Sequence, residues 1–298
     1  MLSIKNWKYW ARLFFTFTAG AVVALVVLIV VLGYVSVDHY LHPPRKIALG
    51  YTLAEKNVQY QAVDLTTEDG IRLSAIYTAP RNGAVILLAH GYGGNRPEWL
   101  YAMLTKAGYG VLAWDARAHG QSDGEISTVG YYEVLDVKAA LAYVMAQPGS
   151  EHIGAWGGSM GGATMIRATA QFPEIEALVV DSPYSALEDE YNYLVPYPFI
   201  NPLVKFFAEM QTGISINDLR PVDEIAKISP RPVYIIQGAG DKVVPPDTAE
   251  QLFNAAGEPR YLWTEENVVH LGMYLNNPRK YQRRVVGFFD KNLLNKNP

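Results

Sequence analysis

The chain has 298 residues, half of them hydrophobic, with no cysteine and a formal charge of -4. That length can bury the core of one large α/β domain, and the lack of cysteine excludes disulfides, thiolate metal sites and a cysteine nucleophile. A net negative chain without a long basic run has little with which to hold a polyanion, so nucleic acid is not an expected partner.

In chain order the first element is apolar. Residues 13–37, between Arg12 and Asp38, carry no charge and are dense in Val, Leu, Phe and Ala. As a helix this run extends about 37 Å, against about 30 Å of bilayer hydrocarbon. It reads as a transmembrane anchor, 13–37, behind a short N-terminal segment, 1–12. A cleaved signal peptide would have an apolar stretch of roughly 7 to 15 residues ending in small residues, and Gly33-Tyr34-Val35-Ser36 matches that poorly. Trp7, Tyr9, Trp10, Tyr34 and Tyr40 stand where interfacial aromatics belong. Lys5, Lys8 and Arg12 precede the run while Arg45 and Lys46 follow it. This small bias favours a cytoplasmic N-terminus, with the rest of a cell-membrane protein outside the cytoplasm.

Residues 38–57 read as a linker, because His42-Pro43-Pro44-Arg45-Lys46 resists helix and favours extended backbone. A domain over 58–298 follows. It opens with Val58 to Thr66, a turn at Glu68-Asp69-Gly70, and Ile71 to Thr78, an antiparallel hairpin by its alternation. Apolar runs at Ala84 to Ala89, Tyr109 to Trp114, His152 to Trp156, Ala177 to Val180 and Val233 to Gln237 alternate with helical stretches. This pattern predicts a mostly parallel central sheet with helices on both faces. A last strand, Arg260 to Thr264, precedes a helix at about Pro278 to Leu294. The long connection at about 184–232 predicts a short helical cap. Its Tyr184, Tyr191, Tyr193, Tyr197, Phe199, Phe206, Phe207 and Met210 suit an acyl pocket as a segment.

The chemistry centres on Ala155-Trp156-Gly157-Gly158-Ser159-Met160-Gly161-Gly162. A G-x-S-x-G motif between a predicted strand and a predicted helix is a nucleophile elbow, whose turn lifts Ser159 above the sheet and leaves it exposed. Gly157 and Gly161 omit side chains that would collide where the chain reverses. A serine hydroxyl needs a base to accept its proton and an acid to orient that base. Of six histidines, His39 and His42 flank the apolar run, His152 opens a strand, and His90 and His119 lie in other loops. His270, after the last strand, is the expected base. Asp241, just past the strand ending at Gln237, is favoured as the acid, with Asp181 its rival.

The order Ser159, Asp241, His270 around such an elbow resembles the α/β-hydrolase superfamily, over about Val58 to Leu294. His90-Gly91-Tyr92-Gly93-Gly94 resembles its H-G-x-x-G loop, which implies that the backbone amides of Tyr92 and Met160 form the oxyanion hole and that His90 is structural. Asp115 to Ser122 resembles D-x-R-G-H-G-x-S, with Ala118 in place of the usual glycine, and Gln237 replaces a histidine in the segment bearing Asp241. The nearest likeness within the superfamily is to single-pass, membrane-anchored esterases and acyl-peptide-hydrolase-like enzymes. The resemblance implies a serine hydrolase of carboxylic esters or thioesters acting on a small-molecule or lipid acyl substrate. A peptidase or a non-catalytic binding protein on the same fold is the alternative. No nucleotide-binding or metal-binding pattern is present, so no cofactor or metal is expected.

Overall fold

A computed structural model describes residues 4–48, 51–197 and 200–295. The helices are α1 (Ile4–Leu41), α2 (Tyr51–Glu55), α3 (Glu98–Lys106), α4 (Glu133–Met145), α5 (Met160–Gln171), α6 (Leu187–Leu194), α7 (Asn201–Thr212), α8 (Pro221–Glu224), α9 (Thr248–Ala255), α10 (Met273–Asn276) and α11 (Pro278–Leu293). The strands are β1 (Gln61–Thr66), β2 (Arg72–Thr78), β3 (Ala84–Ala89), β4 (Gly110–Trp114), β5 (His152–Gly158), β6 (Ala177–Asp181), β7 (Val233–Gly238) and β8 (Arg260–Glu265). The chain divides into two units, Met1–Tyr40 with Tyr197–Ser215, and Leu41–Pro196 with Ile216–Pro298.

The larger unit holds one eight-stranded sheet in the order β1-β2-β4-β3-β5-β6-β7-β8. The hairpin β1/β2 is antiparallel, β2 pairs antiparallel with β4, and every other pairing is parallel. A strand's side chains alternate between faces, and β3 shows what that does here. Val85, Leu87 and Ala89 join the core beneath α4, α5 and α9, while Ala84, Ile86 and Leu88 join the core beneath α3 and α11. Both faces are covered, which is why the central strands read as unbroken apolar runs. Residues 221–228, at the end of the connection predicted as a cap, pack into the first of these cores through Ile225 and Ile228, and Glu224 binds Arg167 at 2.8 Å. Tyr184, at its start, is buried and donates to the Val129 carbonyl at 2.6 Å. Phe199 lies outside the described residues.

The start of this unit lies against the domain. The Leu41 carbonyl accepts from Ser127 N at 2.8 Å, Pro43 is buried, and the Arg45 guanidinium binds the carbonyls of Ser122 and Gly124. In the smaller unit, α1 is long and apolar enough to cross a membrane over Trp7–Leu41, and its side chains from Phe14 to Leu32 are largely exposed. Its helix runs on past residue 37 to Leu41.

Candidate active site

Parallel strands gather functional groups beyond their C-terminal ends. At that edge lie the elbow after β5, the loops after β3 and β6, and the segments after β7 and β8. Ser159 has φ 53° and ψ -123°, a conformation that costs a non-glycine residue about 1–3 kcal/mol. The turn can be this tight because of two glycines. A Cβ on Gly157 would stand 2.3 Å from the Gly161 carbonyl oxygen, and one on Gly161 would stand 2.3 Å from that of Ala89. The first turn of α5 follows at once, its Gly162 and Ala163 amides donating to the Ser159 carbonyl at 2.8 and 3.1 Å, so the positive end of its dipole faces the elbow. The expected exposure of Ser159 is corrected: the residue is only 8% exposed. Gly91 lies so close over it that a Cβ there would sit 3.1 Å from that of Ser159.

Hydrogen bonds across the strand ends stitch the neighbouring loops together. Ser159 N donates to the Asp181 carbonyl at 2.9 Å, and Leu271 N donates to Ser182 Oγ at 3.2 Å. The segment bearing His270 thereby lies beside the elbow, with Leu271 Cδ2 3.2 Å from where a Cβ on Gly158 would stand. His270 Nδ1 meets Asp241 Oδ2 at 2.7 Å. The Asp241 side chain is fully buried, and its Oδ1 accepts from the amides of Val243 and Val244 at 2.8 and 3.0 Å. A carboxylate held from behind by two amides leaves one oxygen to accept from Nδ1–H, which makes Nε2 the ring's basic nitrogen.

Asp181 is occupied elsewhere. Tyr281 donates to its Oδ2 at 2.9 Å and in turn receives Trp156 Nε1 at 2.9 Å. Burial pushes the Asp181 carboxyl up to about 6. Of the two candidate acids, Asp241 is the one that touches His270.

The loop after β3 is fixed by two neutral histidines. His90 Nδ1 donates to the Gly91 carbonyl at 2.7 Å while Nε2 accepts from Ala116 N at 3.0 Å. His119 Nδ1 donates to the Arg117 carbonyl at 2.9 Å while Nε2 accepts from Gly93 N at 3.0 Å. Burial holds His90 down at about 3 and lowers His119 as well, so both keep an accepting nitrogen. Tyr92 sits on this braced turn, its ring edge-on to that of His119, and Met160 opens α5. Ala118 adopts φ 61°, the left-handed conformation that explains why glycine is usual there. The turn persists, with Ala118 N donating to the Asp123 carbonyl at 2.9 Å.

Three contributors were not legible in the sequence. His119 braces the Tyr92 turn, and Ser182 tethers the residue after His270. Gln237 bridges the Asp241 segment, accepting from Ala249 N at 2.9 Å and donating to the Pro245 carbonyl at 3.2 Å. Gln237 left a trace as a substitution at a motif position, and His119 as a member of the Asp115 to Ser122 segment. Among the described residues no group of three or more His, Cys, Asp or Glu is placed to hold a metal ion.

The family model for the α/β-hydrolase fold matches residues 84–212, the stretch that contains β3, the elbow and most of the cap. A Mycobacterium tuberculosis protein of uncharacterised role is 30% identical over 231 residues, covering 75% of each chain. The chain belongs to the α/β-hydrolase family. This α/β hydrolase is also similar to the α/β-hydrolase domain-containing protein WAV2 of Arabidopsis thaliana, 27% identical over 297 residues and 95% of each chain. Among solved structures it resembles the Pyrococcus furiosus esterase Pf2001, with TM-score 0.70 and 27% identity over 85% of this chain and 98% of that one.

Proposed function

We propose that this α/β hydrolase is a membrane-anchored serine hydrolase that cleaves carboxylic esters or thioesters through an acyl-enzyme. The observation that carries this reading is the 2.7 Å contact between His270 Nδ1 and Asp241 Oδ2, at the sheet edge where the elbow presents Ser159. In this mechanism Ser159 Oγ attacks the acyl carbon as His270 Nε2 takes its proton and returns it to the departing alcohol or thiol. Water then attacks the acyl-enzyme, His270 Nε2 taking its proton and giving it to Ser159 Oγ as the carboxylic acid leaves. Asp241 keeps the proton of the ring on Nδ1. The amides of Tyr92 and Met160 are assigned as donors to the oxygen that gains charge, each typically worth about 2.7 to 4 kcal/mol in the transition state. The mechanism uses no cofactor.

The likeness to an archaeal esterase supports ester chemistry over amide chemistry. The length and apolarity of α1 support the anchor, and the charge bias around it favours an extracytoplasmic catalytic domain. In this reading the substrate is a small-molecule or lipid acyl compound.

A fluorophosphonate probe, with p-nitrophenyl esters of rising chain length beside peptide amides, tests the reading. The wild type is expected to be labelled and to prefer esters. Ser159→Ala is expected to lose labelling and turnover with its fold intact. Equal labelling of both proteins would remove Ser159 as nucleophile. Faster amide than ester cleavage would make the enzyme a peptidase, and neither labelling nor turnover would leave a binding protein. Protease added to intact cells should digest the domain beyond Pro44; protection until lysis would reverse the topology.

A further inference from the structure

Helix α7 and the apolar helix α1 belong to the same unit, and their contact is specific. Leu203 Cδ2 lies 2.9 Å from where a Cβ on Gly33 would stand, so the glycine makes the notch that admits it. One residue on, the Tyr34 and Phe207 rings meet edge-on with centroids 5.6 Å apart. Helical rise brackets the depth of this contact. About 30 Å of hydrocarbon takes about twenty helical residues, and the uncharged run 13–37 has twenty-five, so Gly33 lies about one turn from the C-terminal end of the run. Tyr34 then falls in the interfacial layer where tyrosine collects.

The surface of α7 suits that depth. Val204 and Phe207 are buried, Phe207 on the side of α7 that meets α1. A second apolar stripe, Pro202, Phe206 and Met210, is spaced by four residues and exposed, Phe206 by 59% and Met210 by 55%. Residues four apart stack on one side of a helix, and Thr212 falls on another flank.

We propose that the stripe Pro202, Phe206 and Met210 seats in the boundary between lipid headgroups and acyl chains, making α7 a second, in-plane membrane contact beside the span. Lipid is the occupant because α7 is held against α1 at the level where the apolar run leaves the hydrocarbon. In-plane helices of this type bury an apolar face at that boundary. The inference rests on α1 being a membrane anchor, and the experiment separates the two.

Because the chain has no cysteine, a single introduced thiol is unique. Full-length Leu25→Cys, Phe206→Cys and Met210→Cys proteins, each carrying an environment-sensitive fluorophore, are placed in phosphatidylcholine and phosphatidylglycerol vesicles. They are quenched either by phosphatidylcholine spin-labelled near the head of its acyl chain or by aqueous iodide. The labels at 206 and 210 are expected to be quenched several-fold more by the lipid than by iodide, and the label at 25 to be shielded from iodide. Iodide access at 206 and 210 with a shielded label at 25 overturns this inference alone. A label at 206 and 210 reached by neither quencher means that protein covers the stripe, and also overturns it. Iodide access at all three positions removes the anchor, and this contact with it.

Discussion

Replacing Asp241 with asparagine changes few atoms and should nearly abolish activity. The amides of Val243 and Val244 donate to Oδ1, and an asparagine oxygen can still accept both, though without the carboxylate's charge. The NH2 group then falls where Oδ2 meets His270 Nδ1 at 2.7 Å. Two donors cannot face each other, so the imidazole adopts the tautomer with its proton on Nε2, which can no longer take a proton from serine. In a serine triad that wrong tautomer costs about ten-thousand-fold in turnover, equivalent to about 5.5 kcal/mol of transition-state stabilisation. The fold loses the charge assistance of three hydrogen bonds, on the order of 1 kcal/mol each, offset in part because no charge is then buried. Asp181→Asn is the matched control: it leaves an acceptor for Tyr281 and does not touch His270, so activity should fall by less than about tenfold. The assay is p-nitrophenyl acetate hydrolysis, with thermal unfolding of the same preparations in detergent. If Asp241→Asn kept activity within tenfold of wild type, or if Asp181→Asn were the crippled variant, the assignment of the acid would be wrong.

Arg117 binds Asp136 Oδ1 through Nε at 2.8 Å and Asp69 through Nη1 at 2.7 Å, and burial already pushes Asp136 up to about 7. Arg117→Ala strands a buried carboxyl and should lower stability by about 3–5 kcal/mol, more at pH 8 than at pH 5, as read by thermal unfolding in detergent. Burial raises Glu190 to about 8, and its Oε2 has no hydrogen-bond partner. Below about pH 4.5 both folded and unfolded forms hold that proton; between about 4.5 and 8 only the folded form does, so stability falls across that window by up to about 1.4 kcal/mol per pH unit and levels off above it. Glu190→Gln should flatten this slope in unfolding measured from pH 5 to 9, and an unchanged slope would place its origin elsewhere. Gly161→Ala puts a methyl group 2.3 Å from the Ala89 oxygen and 2.6 Å from that of His90, backbone atoms that cannot rotate away. It should cost about 1–3 kcal/mol and slow fluorophosphonate labelling by shifting the loop before Tyr92; wild-type labelling would show that the elbow has room the structure lacks.

Local periodicity determined much of this protein. Unbroken apolar runs gave the parallel strands to within a residue or two, because strands covered on both faces leave no polar alternation. The elbow was visible because its tightness demands glycine at fixed offsets from Ser159, and the long uncharged run before Asp38 marked α1 by composition alone. Tertiary structure decided which groups meet. Asp181 and Asp241 both follow apolar strands and have the same local chemistry. They part company because Tyr281, 100 residues beyond Asp181 in the chain, takes one carboxyl and His270 takes the other. The bracing of the Tyr92 turn by His119 and the shielding of Ser159 by Gly91 depend on the loops after β3, β4 and β5 converging at one sheet edge. The notch at Gly33 acquires its role only when α7 packs into it. Sequence pattern records how a segment buries its own surface, whereas the partner of a side chain is set by contacts between segments far apart in the chain, which leave no periodic trace.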